Sequence, residues 1–332
     1  MIAGEVTAHD DLRRLDGQTG FVFAPFDTTR HPVLLIHPDR CQDISLPIGP
    51  TPDAGLAQDV QHDLSHLFPP QGPQPSSCSE DETYEQAFDT FKQALDSGKF
   101  TKLVLSHRTS VSLPDSFSPY AAFLRACQTH PDMMVSLVCT SQSGLWLGCT
   151  PELLLSGLGQ RWKTVALAGT KTVGEKSWND KNRREQLLVA DYIANVLQPY
   201  ADSIAQTRPA TIQAGNVCHL RTLFTFNVRE RNRIGSLLYD LFPTPAVCGL
   251  PKRQAFDFIA RNEGYDRTWY SGFLGMKHTD RPTALYVNLR CMRLFDDAAW
   301  VYAGGGLLSE SALPDEKAEI AHKMQTMLNL LH

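Results

Sequence analysis

The sequence lacks a basic surplus: 31 Lys and Arg stand against 36 Asp and Glu, a formal net charge of -5. Without a broad positive field, nucleic acid is not an expected partner. An anionic substrate must then be held by a few local donors or through a metal. The chain also lacks an uninterrupted apolar run of bilayer length, so no membrane association is expected. The opening Met1-Ile2-Ala3-Gly4-Glu5 has no basic region followed by an apolar core. That pattern gives no signal peptide and predicts a cytoplasmic location. The eight cysteines form no CxxC pair, and several sit in apolar runs such as Met134-Val135-Ser136-Leu137-Val138-Cys139. Reduced, mostly buried thiols are expected, with neither a disulfide framework nor zinc-ligand spacing. No internal repeat or low-complexity tract is present, and no obligate protein partner is expected.

What is present is enough apolar sequence, 42% of 332 residues, to bury a large core. Short apolar runs at 20–26 and 32–38, bounded by turn formers, predict strands. The proline-rich stretch 69–77 predicts an exposed connection. The expected organisation is an N-terminal accessory layer over 1–78 packed on a catalytic body over 79–332. Ser79 is positioned to cap a helix with Glu82 at capping-box spacing, its apolar face carrying Tyr84, Phe88, Phe91 and Leu95 and its end at Gly98. Strands are predicted at 102–108, 164–170, 222–228, 283–289 and 299–302, and a hairpin over 135–148. Helices are predicted at 120–127, 182–197, 255–260 and 315–331. The elements keep no regular βαβ alternation, so the class is α+β with large sheets.

Several residues could carry chemistry, and each has a plainer reading. Lys102 heads an alternating strand: it is either an edge-strand or snorkelling lysine, or an amine delivered to a cleft to take a proton from water. Glu152, followed by Leu153-Leu154-Leu155, is a surface carboxylate or an acid kept protonated by apolar neighbours. Glu316 and Glu319 share one face of a helix opened by Pro314. They either complement the helix dipole or, with Glu185 as a third carboxylate, make an oxygen site suited to Mg²⁺. The run Gly304-Gly305-Gly306 reads as a glycine loop allowing close backbone approach, either to a ligand or to an adjacent strand, but it lacks the lysine and hydroxyl of a phosphate loop. Arg290, placed inside a strand, is either solvent-facing or a fork for a substrate carboxylate. Gly169, Thr170, His219 and Thr222 offer additional donors, although a lone histidine is more often structural.

From about Tyr84 onward these residues resemble the chorismate-utilising enzyme family. The resemblance is carried by Lys102-Leu103-Val104-Leu105-Ser106, by Leu147-Gly148-Cys149-Thr150-Pro151-Glu152 and by Ala166-Leu167-Ala168-Gly169-Thr170. It extends through Phe242-Pro243-Thr244-Pro245, Tyr270-Ser271-Gly272-Phe273-Leu274-Gly275 and Tyr302-Ala303-Gly304-Gly305-Gly306 with the acidic helix after it. It implies a large α/β sandwich of two extensive, mainly antiparallel sheets with outer helices. It further implies conversion of chorismate to isochorismate, with Lys102 activating water and Glu152 protonating the departing C4 hydroxyl. Glu185 and Glu319 would hold Mg²⁺, with Glu316 close by or acting through water. Arg290 would grip the enolpyruvyl carboxylate, aided by Tyr270 and the Gly304-Gly305-Gly306 backbone, while Gly169, Thr170 and His219 would line the ring side.

Within the family, Lys102 stands where aminating members usually carry glutamine, and Ala168 where aminodeoxychorismate synthases carry an attacking lysine. Water as nucleophile is implied, leaving isochorismate synthesis or, with pyruvate elimination, salicylate synthesis. The Gly272-Phe273-Leu274-Gly275 segment is similar to menaquinone-pathway members. Two residues depart from the pattern: Gln186 replaces a histidine after the metal-binding glutamate, and Thr268 replaces a glycine after Arg267.

Overall fold

A computed structural model describes residues 2–41, 80–214 and 217–331. The connection at 69–77, the boundary at 78/79 and the Ser79 cap fall outside the described residues. In chain order the first elements are β1 (Ile2–His9), β2 (Gly20–Ala24), β3 (Val33–Cys41), α1 (Glu80–Asp96), β4 (Lys102–Ser112), α2 (Pro119–Thr129), β5 (Met134–Thr140) and β6 (Gly144–Thr150). Then come β7 (Leu153–Leu158), β8 (Arg161–Thr172), α3 (Asp180–Leu197), β9 (Ala201–Gln206), β10 (Ala210–Ala214), β11 (Val217–Val228) and α4 (Ile234–Leu241). The last are β12 (Gly249–Leu250), α5 (Lys252–Asn262), β13 (Phe273–Lys277), β14 (Thr283–Val287), β15 (Cys291–Leu294), β16 (Ala298–Leu307) and α6 (Leu313–Leu328).

Among the described residues the strands make a ten-stranded sheet, β1-β3-β2-β13-β14-β7-β8-β11-β10 with β9 also on β11, and a six-stranded sheet, β12-β4-β16-β15-β6-β5. All pairings are antiparallel, giving the expected α+β sandwich. Helices cover the outer faces. Phe88 and Phe91 of α1 and Ile320 and Met324 of α6 pack with Leu103 and Leu105 of the smaller sheet. Val189 and Ile193 of α3 and Leu237 of α4 pack on Ala166 and Phe224 of the larger. The core between the sheets is aromatic: Phe23 stacks on Trp269 at 5.7 Å, and Tyr302 lies between Trp146 (5.5 Å) and Tyr270 (5.0 Å). Offset stacking of this kind adds to the area term.

The first forty residues belong to this architecture as strands. β2 pairs with β13, and Phe23 and Leu34 enter the core between the sheets. The seven described cysteines are free thiols. No helix among the described residues is long and apolar enough to cross a membrane.

Two expectations are corrected. Gly304, Gly305 and Gly306 lie in a strand, not a loop: β16 runs through Leu307 and pairs them with Ser106, Leu105 and Val104. Arg290 lies outside a strand, because β14 ends at Val287 and the chain there crosses from the larger sheet to β15 of the smaller. At the crossing, Asn288 N donates to Gly272 O and Asn288 Nδ2 to Trp269 O, so the ladder bonds give way to bonds with a turn. Arg290 takes φ 46° there, and the facing turn holds Thr268 at 50° and Ser271 at 60°. Non-glycine residues in this region carry strain, and such strain gathers at functional sites.

A β-branched residue such as Thr268 is poorly suited to a left-handed backbone. Its hydroxyl is also buried without a hydrogen-bond partner. Thr268→Gly is therefore expected to raise unfolding stability by about 1 kcal/mol, measured by urea denaturation. A loss of stability would show that this backbone is not strained.

Candidate active site

Lys102 opens β4, where it is paired with Leu250 of β12 on one side and its strand is bonded to β16 on the other. It is fully buried at 0% exposure, which removes the edge-lysine and snorkelling readings. Its strand is fixed from behind by an ion pair. Arg267 donates from Nη2 to Val104 O (2.8 Å) and to Glu263 Oε1 (2.6 Å), and Glu263 Oε1 accepts Ser106 N at 2.7 Å. The Lys102 side chain runs past Gly306, where a Cβ would lie 2.8 Å from Lys102 Cε and collide with Glu185 Oε1. Gly306 is what lets the amine and the carboxylate meet. Lys102 Nζ stands 2.9 Å from Glu185 Oε1, without a well-formed hydrogen bond.

Three glutamates gather near the strand of glycines, each with its own lysine. Glu185, on the second turn of α3, also accepts Gly169 N at 3.2 Å. Glu316 Oε1 accepts Lys181 Nζ at 2.5 Å, and Glu319 Oε1 accepts Lys323 Nζ at 2.6 Å. Lys323 also donates to Gly304 O at 2.7 Å. A Cβ on Gly305 would lie 2.9 Å from Glu316 Oε2 and 3.6 Å from Glu319 Oε1, so both acids of the α6 turn face its backbone. Burial and the neighbouring Glu319 charge push Glu316 up against the pull of Lys181. Burial works on Glu319 too, but Lys323, with the Thr170 hydroxyl, outweighs it and holds that carboxyl low.

These residues fit a hard cation in chemistry. All donors are carboxylate oxygens, Glu316 Oε2 is buried without a well-formed hydrogen bond, and two glycines leave the space open. As the side chains stand, no three of His, Cys, Asp or Glu among the described residues converge on one ion position.

Across β16 lies a small cavity of about 60 Å³ lined by Glu152, His219, Tyr270, Arg290, Gly304 and Lys323, among others. Glu152 sits in the turn between β6 and β7. It is buried, so the surface-carboxylate reading fails, and desolvation lifts its pKa from 4.5 to about 7 against the opposing charges of Lys102, Lys323 and Arg290. A carboxylic acid there stays largely protonated in mild acid and can donate. Those opposing charges also place Lys102 within electrostatic reach of Glu152.

His219 Nδ1 donates to Gly169 O at 3.0 Å, because a carbonyl can only accept, and this fixes the tautomer. Nε2 then accepts Arg290 Nη2 at 3.0 Å. Burial and the Arg290 charge hold the imidazole neutral, its pKa down to about 3. Arg290 Nη1 donates to Ala214 O at 2.7 Å, and burial brings the guanidinium down to about 10. Its fork is aimed, and it is partnered by neutral acceptors that a carboxylate could displace.

The structure thus brings Glu152, His219, Tyr270, Arg290 and Gly304 around one cavity. It sets Lys102, Glu185, Glu316, Glu319, Gly305 and Gly306 beside it. Gly169 and Thr170 join the two groups through His219 and Glu319. Thr222 stands apart from the cavity lining: its hydroxyl accepts Gln186 Nε2 at 3.0 Å, and the same nitrogen donates to Ala166 O. Gln186, the departure noted above, ties α3 to β8 and β11. Lys181 and Lys323 were not anticipated, although each lies four positions from a candidate glutamate on its own helix, spacing that shares a face. A larger depression, about 490 Å³ around Trp162, Ser203 and Asn227, lies elsewhere and has no acid in its lining.

Residues 56–332 match the family model described as chorismate binding enzyme. The salicylate biosynthesis isochorismate synthase of Pseudomonas aeruginosa is 28% identical over 268 residues, which cover 77% of this chain and 56% of that protein. The putative isochorismate synthase MenF of Mycobacterium tuberculosis is 28% identical over 92% of this chain and 84% of its own length. Among solved structures, a putative 2,3-dihydroxybenzoate-specific isochorismate synthase, DhbC, from Bacillus anthracis superposes with a TM-score of 0.79 at 24% identity. That match covers 99% of this chain and 92% of that one, and shows a shared fold.

Glu152 ties stability to pH. The folded protein holds its proton up to about pH 7 and the unfolded chain releases it near 4.5, so this stabilisation is complete below 4.5 and lost as pH rises through 7. In urea titrations, the stability of Glu152→Gln relative to the unmodified protein should grow by about 3 kcal/mol between pH 5 and pH 8. A flat difference would contradict a neutral, buried acid.

Proposed function

The chain belongs to the chorismate-binding enzyme family, and on that premise we propose that it is a Mg²⁺-dependent isochorismate synthase. The observation that carries the reading is Glu152: a buried acid, protonated into the neutral range, in one cavity with an aimed arginine and within electrostatic reach of the buried amine of Lys102. Lys102, as the neutral amine, takes a proton from the water that adds at C2 of the ring. The double bonds shift, and Glu152 gives its proton to the C4 hydroxyl, which departs as water. Water in and water out balance, so the step is an isomerisation, and in reverse the two groups exchange roles. Arg290 binds the enolpyruvyl carboxylate, giving up Ala214 O or His219 Nε2 to do so, while the neutral His219 keeps the fork in position. Glu185 and Glu319, with Glu316 near, would hold Mg²⁺, which supplies positive charge for the ring carboxylate.

The names of the relatives support isochorismate as product, and the segment Gly272-Phe273-Leu274-Gly275 together with the MenF relative favours a place in menaquinone synthesis. Ala168 places no amine at that position of β8 for a covalent route.

Chorismate incubated with the protein and Mg²⁺ should give isochorismate by NMR, without stoichiometric pyruvate. Pyruvate matching chorismate consumption would make the enzyme a salicylate synthase, and no turnover from mild acid to mild base would reject the reading. Glu152→Gln should lower kcat by roughly 10²–10⁴-fold while chorismate still binds. In the forward direction, kcat/KM should decline about tenfold per pH unit above pH 7, as the acid form of Glu152 is lost.

A further inference from the structure

We propose that Lys181 is a built-in stand-in for the divalent cation: it neutralises the Glu185, Glu316 and Glu319 cluster when no ion is bound, and withdraws to solvent when one binds. The inference rests on the Mg²⁺ reading above and asks how the same carboxylates survive burial without the ion. Lys181 and Glu185 stand four apart on the first turns of α3 and share a face. From there Lys181 Nζ reaches across to α6 and donates to Glu316 Oε1 at 2.5 Å. It also feels the charges of Glu185 and Glu319, so one ammonium answers to all three acids.

Of the three lysines at the cluster, Lys181 is the one placed to leave. The Lys102 side chain is 0% exposed and enclosed beside Gly306, and that of Lys323 is 15% exposed and holds a second acceptor, Gly304 O. The Lys181 side chain is 21% exposed. It also lies at a helix N-terminus, where the dipole disfavours a cation, so the acids are what hold it. A divalent ion drawn to Glu316 Oε2, which lacks a well-formed hydrogen bond, would repel an ammonium on the other oxygen of that carboxyl.

Two measurements test this. Calorimetric titration with Mg²⁺ alone should show Lys181→Met binding about tenfold tighter than the unmodified protein, because the bound ion no longer displaces a competitor. Lys181→Arg, which keeps the charge, should stay close to the unmodified affinity. Amine labelling of the unmodified protein, read by mass spectrometry, should show Lys181 becoming several-fold more reactive when Mg²⁺ is added; this arm decides if Lys181→Met does not fold. If the unmodified protein takes up no Mg²⁺, the metal reading itself falls. If it takes up Mg²⁺ but Lys181→Met binds no tighter, or Lys181 labelling does not rise, the stand-in falls and the metal reading survives.

Discussion

A buried carboxylate must be paired, protonated or bound to a cation, because the interior solvates charge poorly. This constraint shapes the centre of the molecule. Glu185, Glu316 and Glu319 come from the first turns of two helices that pack on opposite sheets, and each ends on an amine: Lys102, Lys181 and Lys323. The first two pairs join α3 to β4 and α3 to α6; the third lies within α6, where Lys323 also reaches Gly304 O of the glycine strand. They are cross-braces between the layers as well as a reservoir of ligands. The bare backbone of Gly305 and Gly306 provides the room.

Glu152 meets the same constraint by the other route. Burial raises its pKa by more than the charges of Lys102, Lys323 and Arg290 lower it, so it keeps its proton. Four acids in one region therefore divide into three paired with lysines and one held neutral. That division is the separation of roles an acid–base reaction on an anionic ring requires. The strained backbone at Thr268, Ser271 and Arg290 follows from the chain crossing between sheets beside this region, which is also what aims Arg290 inward.

Local chemistry made much of this legible in the sequence. The periodic face of Tyr84, Phe88, Phe91 and Leu95 gave α1, the hairpin over 135–148 was marked by its turn, and the strand carrying Lys102 stood out by its alternation. What could not be read was contact between distant segments. Nothing near Lys102 indicates that Glu185 neutralises it, and nothing near Glu152 fixes the depth of its burial. Arg290 was assigned to a strand because its apolar alternation continues past Val287, where the chain in fact leaves the ladder to change sheets. The three glycines suggest a loop because their backbone is open to close approach, yet they stand in a strand that must admit side chains from two helices. Lys181 and Lys323 were within reach of the sequence through their four-residue spacing from glutamates, a pattern so common on solvated helices that it did not stand out.

The pairing of β2 with β13 has a consequence for any attempt to trim this protein to its chemistry. A fragment starting at α1 would retain every residue assigned a chemical role, yet it would leave β13 with an open row of amides and carbonyls and strip Phe23 from its place against Trp269 and Trp146. Such an edge is a template for another chain. The opening strands thus cover an edge of the region that carries the candidate site.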